Sequence, residues 1–526
     1  MKKIFSLLLA LCLVLCSFPS MAEGPAQDGL KKLVDEPTTL TVFLAAHTVI
    51  GTQIETWNEA LVFQELEKRT GVHLEFITPV QDQQNVQLQL LVASRELPDI
   101  IIGTNGYPGG GEAMVNDGIV IDLAENLDKL PNFKAKLEAT ELRQKEVYTD
   151  TGKIPGFPTF YKDDQSGEVY VGLLLRKDLL DQVGMDIPVT YDDWYNVLKA
   201  FKEECGISKP LVPGPEMFCQ NNMWSIGYGF GYVDYFGTGI PFYQIDGEVR
   251  YAPIDDTDAF LAYLQMMAKW YSEGLLDPDF QTVTDVMTQI STYSSLDCGA
   301  CVTAYSLDAV LESIAQASKP DFDYICVPMP VLEEGQKLHM YANTTRMDLN
   351  NVMISTKCKD IDLALAYFDQ LYTDEGSLLC NWGVEGISFY YDENGLPQWT
   401  DNVINNPEYN FTSMQHYYLA QGLVGEFERR AGLVEEASRI KNEMYMAQAD
   451  NSYRIPSSIT LTEDEQDAYN SVMDDLLTYV EEKCIHLITG AESFDVFPEM
   501  IQTIRDMDVE EAIQAYQSAL DRYYAR

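Results

Sequence analysis

TTLTVFLAA (38–46) opens the stretch that decides the fold. It is β-branched and apolar without interruption, the pattern of a short strand buried among its neighbours. ETWNEALVFQELEKRTG (55–71) follows, with Trp57, Leu61, Phe63 and Leu66 at helical spacing and Gly71 as a stop. VHLEFITPV (72–80) alternates as a strand, VQLQLLVASRE (86–96) suits a helix, and LPDIIIGT (97–104) is a third strand that runs into a Gly-Thr-Asn loop. Strand, helix, strand, helix, strand is the grammar of a parallel sheet covered on both faces, so the chain is expected to be α/β.

The middle of the chain repeats that grammar. VYVGLLLRKDLLDQVGMDIPVTYDDWYNVLKAFKEE (169–204) reads as a strand to Leu175, a short helix, a break at Pro188 and a second helix. Thr190 and Asp193 have capping-box spacing, and Trp194, Leu198 and Phe201 share one helical face. Residues 210–250 are rich in Gly, Pro and aromatics and have little periodicity. Helices are expected at 258–273, 306–317 and 360–372, and the C-terminal third is strongly helical. There Thr462 and Glu465 form a second capping box, Ala468, Val472, Leu476 and Val480 follow at four-residue spacing, and Gly490 ends the segment.

At 526 residues the chain exceeds the size at which one core keeps growing, so two lobes are expected. Its N-terminus has Lys2 and Lys3, an apolar run over 4–18 and small residues at Ser20 and Ala22, which describes a secretory signal peptide (1–22) cleaved near Ala22. The apolar run is short of the roughly 20 residues that span a bilayer. Cys12 and Cys16 follow Leu11 and Leu15, too bulky for a lipid-attachment site, so simple cleavage is favoured over a lipid anchor. Residues 23–37 are polar and read as a loose leader. A net charge of −47 repels nucleic acid and anionic membranes and disfavours polyanionic ligands unless a basic pocket exists; it says little about neutral ones. Eight cysteines follow the leader (205, 219, 298, 301, 326, 358, 380 and 484), and their spacing assigns no pairing.

Several of these stretches together resemble the extracellular solute-binding proteins that serve carbohydrate ABC importers, the branch that includes receptors for alginate oligosaccharides. ELPDIIIG (96–103), residues 173–203, YSEGLLDPDF (271–280), NWGVEGISFYYDENGLP (381–397) and the segment 484–523 carry the resemblance, in order, over nearly the whole mature chain. It implies a periplasmic-binding-protein-like fold: two α/β lobes joined by two or three crossing strands, a hinge, a central ligand cleft and a helical C-terminal extension. Mapped here, the N-terminal lobe is 38–158 plus 344–373 and the C-terminal lobe 159–343 plus 374–526. Some relatives carry a calcium loop after the helix matching 191–204; here CGISKPLVPG (205–214) lacks the carboxylates and amides that Ca²⁺ needs, so no metal is expected there. No cofactor is expected.

Sugars offer hydroxyls to polar side chains and C–H faces to aromatic rings, so a cleft for them should mix both on loops. The 223–244 stretch fits by composition, with Trp224, Tyr228 and Tyr232 interleaved with glycines; the alternative for each ring is core packing. Thr104, Asn105 and Tyr107 follow the end of a strand, where open α/β sheets bind ligands. Phe160 and Tyr161 precede the second lobe, Arg346 and Asn343 lie near a predicted crossing, and the resemblance places Tyr305 before a helix as a pocket aromatic. In CNWGVEGISFYYDENGLPQW (380–399), residues 392–395 read as a hairpin turn, which makes Tyr390, Tyr391 and Trp399 scaffold and leaves Trp382 and Glu385 as site candidates.

Enzyme signatures are lacking. There is no Gly-x-Ser-x-Gly elbow, and the five histidines show no metal spacing. Cys298-Gly-Ala-Cys301 has the gap of a redox pair without its context, which favours packing or a bridge. The expected protein is a non-catalytic, monomeric, exported receptor that delivers a carbohydrate to an ABC permease. A receptor for a peptide or another solute, and a secreted carbohydrate-active enzyme, are the alternatives.

Overall fold

The structure is a computed structural model that describes residues 29–526, apart from 47–49, 52, 81–82, 104–106, 108, 162–168, 170, 214–225, 232–240, 284–285, 305–306, 341, 343–346, 410, 420–424, 428–435 and 457. Along the chain the strands are β1 (Thr38–Phe43), β2 (Val72–Ile77), β3 (Ile100–Ile102), β4 (Phe157–Tyr161), β5 (Val171–Arg176), β6 (Lys209–Val212), β7 (Tyr243–Ile245), β8 (Glu248–Arg250), β9 (Cys298–Ala304), β10 (Tyr324–Val327), β11 (Met347–Ile354), β12 (Phe389–Tyr391), β13 (Pro397–Trp399) and β14 (Gly425–Phe427).

The expected strand–helix grammar is present. β1 pairs in parallel with β2 and β3, and the helices Leu61–Thr70 and Gln84–Ser94 make the crossovers. Gly71 closes the first helix in the left-handed conformation (φ 78°) that glycine adopts without a Cβ clash. β11, β4 and β14 extend this sheet to the order β14-β4-β11-β3-β1-β2. Its core includes Leu40, Val42, Ile100, Phe157, Val352 and Phe368. A second sheet, β10-β5-β9-β6, is backed by a larger core that combines Leu173, Trp194 and Phe201 with Leu476 and Ala519 of the C-terminal helices Glu463–Thr489 and Val509–Ala525. Both capping boxes form: Thr190 with Asp193, and Thr462 with Glu465.

Two expectations about organisation are corrected. Residues 29–37 are no loose leader: Leu33 donates its backbone N–H to Thr70 O (2.8 Å), and Leu30, Leu33 and Val34 pack on the first core. The expected return to the second lobe at 374 falls inside the first core. Leu379 and Cys380 of the helix Asp374–Trp382 are buried there, and β14 still belongs to the first sheet. The physical reason is that this helix is short and apolar on the side that faces Tyr372, so it completes the first core instead of leaving it.

The second sheet contains a buried ion network. Arg176, 1% exposed, grips Asp178 through Nε and Nη2 (2.7 Å each), and Lys319 reaches the same carboxylate at 2.7 Å. Burial by itself would raise the Asp178 carboxyl, but these two cations outweigh it and hold it below its usual range. The seven described cysteines are free thiols. Cys298 and Cys301 are fully buried on β9; burial pushes the Cys301 thiol well up, whereas for Cys298 burial is outweighed by hydrogen bonds from Cys301 and Tyr324, which lower its thiol, and both stay packed away from solvent.

The hairpin expected at 389–399 forms: Phe389 pairs with Trp399 and Tyr391 with Pro397, and Asp392 Oδ1 accepts the Asn394 and Leu396 N–H groups at 2.8 Å each. It hangs on Gly383, whose φ of 77° and ψ of −130° are open only to glycine and whose Cβ would collide with Ser388 Oγ. Gly383→Ala is therefore expected to lower stability by about 2 kcal/mol, read as a reduced urea midpoint; an unchanged midpoint would refute this account of the turn.

Candidate functional site

Strand direction locates the site. β11 is antiparallel to both β3 and β4, so β4 runs in the same sense as β1, β2 and β3. β4 leads on to β5 in the second sheet, so the C-terminal ends of the first sheet's parallel strands point at the second lobe. On the other side Ala304, the end of β9, pairs with Val171, the first residue of β5. Both sheets thus turn C-terminal strand ends toward each other, the edge at which open α/β sheets take ligands.

A pocket of about 570 Å³ lies between the lobes. The first lobe contributes Tyr107, Gly109, Glu112, Ala113, Asn116, Asp117, Asp150 and Thr151; the second contributes Thr460, Leu461, Thr462, Glu463 and Arg522. Tyr107 follows β3, and the helix Gly110–Asn116 presents Glu112 and Asn116. The second-lobe wall is the N-terminal turn of the helix Glu463–Thr489, held in shape by the Thr462–Glu465 box.

The wall chemistry is dominated by hydrogen-bond acceptors. Tyr107 donates its hydroxyl to Asp117 Oδ2 (2.6 Å), and Thr151 donates to Glu112 Oε1 (2.8 Å). Burial, the Asp117 bond and the nearby Asp117 and Glu463 charges push the Tyr107 phenol up to about 12, so it stays protonated and keeps donating.

Beside the pocket the C-terminal helix clamps one lobe to the other. Arg522 Nε donates to Asp150 Oδ2 (2.8 Å) and Arg526 Nε to Asp150 Oδ1 (2.7 Å). Arg522 also holds both Glu465 oxygens at 2.6 Å and donates to Thr460 O at 3.0 Å, and Tyr523 donates to Glu146. The Lys145 ammonium lies 4.3 Å over the Tyr523 ring. Burial alone would raise the Glu465 carboxyl, but the Arg522 fork and the Thr462 amide outweigh it and lower it.

The expected site residues fall into three groups. Thr104, Asn105, Trp224, Tyr232, Asn343, Arg346 and Tyr305 lie outside the described residues. Tyr107 lines the interlobe pocket, and Glu385 is exposed on the turn before the hairpin. The rest are corrected to packing. Tyr228 is buried in the second core, and Phe160 and Tyr161 are buried in β4, with Phe160 stacked near Phe133 (6.3 Å). Trp382 is 2% exposed and lies 4.4 Å from Trp399, ring over ring, in a small core with Phe389. Trp399 is scaffold as expected, whereas Tyr390 and Tyr391 stand exposed, at 50% and 43%. Glu112, Asp117, Asp150, Glu463 and Arg522 went unnoticed in the sequence; the Thr462–Glu465 box was the one local sign near them.

A Ser–His–Asp grouping occurs away from the pocket, and its geometry is wrong for a catalytic relay. Ser452 Oγ (2.8 Å) and Asp450 Oδ2 (3.0 Å) both meet the same ring atom, His339 Nδ1. A relay needs the acid on one ring nitrogen and the nucleophile on the other. Among the described residues no group of three or more His, Cys, Asp or Glu side chains could hold a metal ion.

Two sheets, each with its own core, and a pocket walled from both sides are the architecture of a two-lobed binding protein. Residues 51–377 match the family of bacterial extracellular solute-binding proteins, and the chain belongs to that family. It is 24% identical over 392 residues to the fructooligosaccharide ABC transporter substrate-binding protein FusA of Streptococcus pneumoniae (71% of this chain, 69% of that one), and 22% identical to Lipoprotein LipO of Bacillus subtilis (71% and 74%). The same fold is seen in FusA in complex with kestose (TM-score 0.73, 19% identity, 93% of this chain and 99% of that one). It is seen also in an extracellular solute-binding protein of Bifidobacterium longum subsp. infantis (TM-score 0.77, 19% identity, 94% and 100%).

The clamp makes two predictions. Asp150→Ala removes the carboxylate that Arg522 and Arg526 share across the lobes and is expected to cost about 2 kcal/mol by urea denaturation. Because the Glu465 carboxyl is lowered, its contribution is present above the ordinary carboxylate pKa and is lost as the pH falls through roughly 5 to 3. A Glu465→Gln variant should flatten that acid limb; an unchanged limb would contradict the assignment.

Proposed function

We propose that this protein is an exported receptor that captures a carbohydrate of oligosaccharide length between its lobes and delivers it to an ABC importer. The observation that carries the reading is the pocket itself: both lobes wall it, so any ligand that touches both walls favours one interlobe spacing over others. Hinge closure around a solute is a known mode of domain movement, and the closed shape is what a permease can distinguish from the open one. The pocket's carboxylates and amide suit sugar hydroxyls, and Tyr107 adds an aromatic ring to the wall, the kind of surface a sugar C–H face packs on. FusA, similar over most of its length, takes fructooligosaccharides, which points in the same direction.

On this reading the protein acts as a monomer, without a cofactor and without chemistry on its ligand, and the N-terminal leader directs it out of the cell. The test is a thermal-shift screen of the mature protein against neutral mono- and oligosaccharides, followed by product analysis of any that bind. A ligand at 100 times its Kd should add about 2.7 kcal/mol, and the recovered sugar should be intact. A peptide that raises Tm where every sugar fails would overturn the carbohydrate assignment, and cleaved sugar would overturn the receptor reading.

A further inference from the structure

We infer that the interlobe pocket selects its sugar by charge: it accepts hydroxyl-bearing or ammonium-bearing sugars and rejects those that carry carboxylate or sulfate groups. The inference deepens the receptor reading and rests on it.

Donors and acceptors are unevenly matched on the pocket wall. Among the described residues, four carboxylates line the pocket (Glu112, Asp117, Asp150 and Glu463) against one cation, Arg522. An anionic sugar would need that guanidinium, and it is already committed. Its Nε donates to Asp150, Nη1 to Glu465, and Nη2 to Glu465 and Thr460 O, which takes up four of its five N–H groups. Pulling Arg522 away would strand Glu465 and loosen the clamp between the lobes.

The lining hydroxyls are also turned toward acids. Tyr107 donates to Asp117 and Thr151 to Glu112. Each bond occupies one oxygen of its carboxylate, and the second oxygen of each remains an acceptor for a ligand donor. Sugar hydroxyls and protonated amines are donors; a uronate or a sulfate ester brings only more acceptor charge to such a surface. The long-range field has the same sign, with 82 acidic and 35 basic residues in the chain. The composition alone left open a local basic pocket that could reverse that field. Between the lobes, among the described residues, the local charge reinforces it.

Calorimetric titrations of the full mature protein test this, with length-matched neutral, amino and uronate oligosaccharides on fructan, glucosamine and hexuronate backbones, each at low and high NaCl. A neutral or amino oligosaccharide is expected to bind more than about a hundredfold more tightly than any uronate of equal length, since like charges brought together cost several kcal/mol. Affinity for the amino sugar should fall with salt and that for the neutral sugar should not. The double variant Glu112→Gln/Glu463→Gln should narrow the gap between amino and uronate ligands. A uronate that binds as tightly as the neutral sugars overturns the inference while leaving the receptor reading intact. So does discrimination that the double variant leaves unchanged. Failure of all three sugar classes to bind overturns the receptor reading and takes the inference with it.

Discussion

β11 is the strand on which the two-lobed arrangement depends. It pairs antiparallel with β4 at Met347, Asp348 and Val352, with a register shift between the last two, and with β3 from Val352 to Ile354. Because β11 runs against both neighbours, β4 must share the direction of β1, β2 and β3. That single constraint turns the C-terminal strand ends of the first sheet toward the second lobe. β14, parallel to β4, adds a third extended segment at the same place.

The C-terminal helix supplies the complementary restraint. Its body is core, with Ala512, Ala515, Ala519 and Leu520 buried against the second lobe, while its last turn reaches back to Asp150 and Glu146 on the first. Charged side chains thus tie one lobe to the other, and the pocket lies against that joint. Arg526 is nearly buried and also donates to Lys145 O and Ser458 O at 3.2 Å, so its charge is met from both lobes.

What was legible in the sequence was local. The strands at 38–43, 72–77 and 100–102, both capping boxes, the Gly71 and Gly490 stops and the 389–399 hairpin all follow from neighbours within a few residues, and the family blocks extended them to the two-lobed class. What misled was ring counting. An aromatic on an irregular glycine-rich stretch looks the same whether it faces a cleft or a core, and Trp382 faces Trp399, seventeen residues on, across a fold made by Gly383. The pocket was invisible for the opposite reason. Asp150 and Arg522 are ordinary charged residues until the chain brings them together across more than 370 positions, and no local pattern announces such a pair. The lobe boundary at 374 failed similarly: the helix Asp374–Trp382 returns to the first core through contacts with Tyr372 and its neighbours that the sequence order does not suggest.

The account stands on one coupling, between occupancy of the interlobe pocket and the distance between the lobes. Small-angle X-ray scattering of the mature protein, with and without a saturating neutral oligosaccharide that raises its Tm, measures it most directly. The account predicts a smaller radius of gyration and a shorter maximum dimension with sugar bound. Saturation that leaves both unchanged, in the wild type and in a variant without the Asp150 clamp, would contradict it.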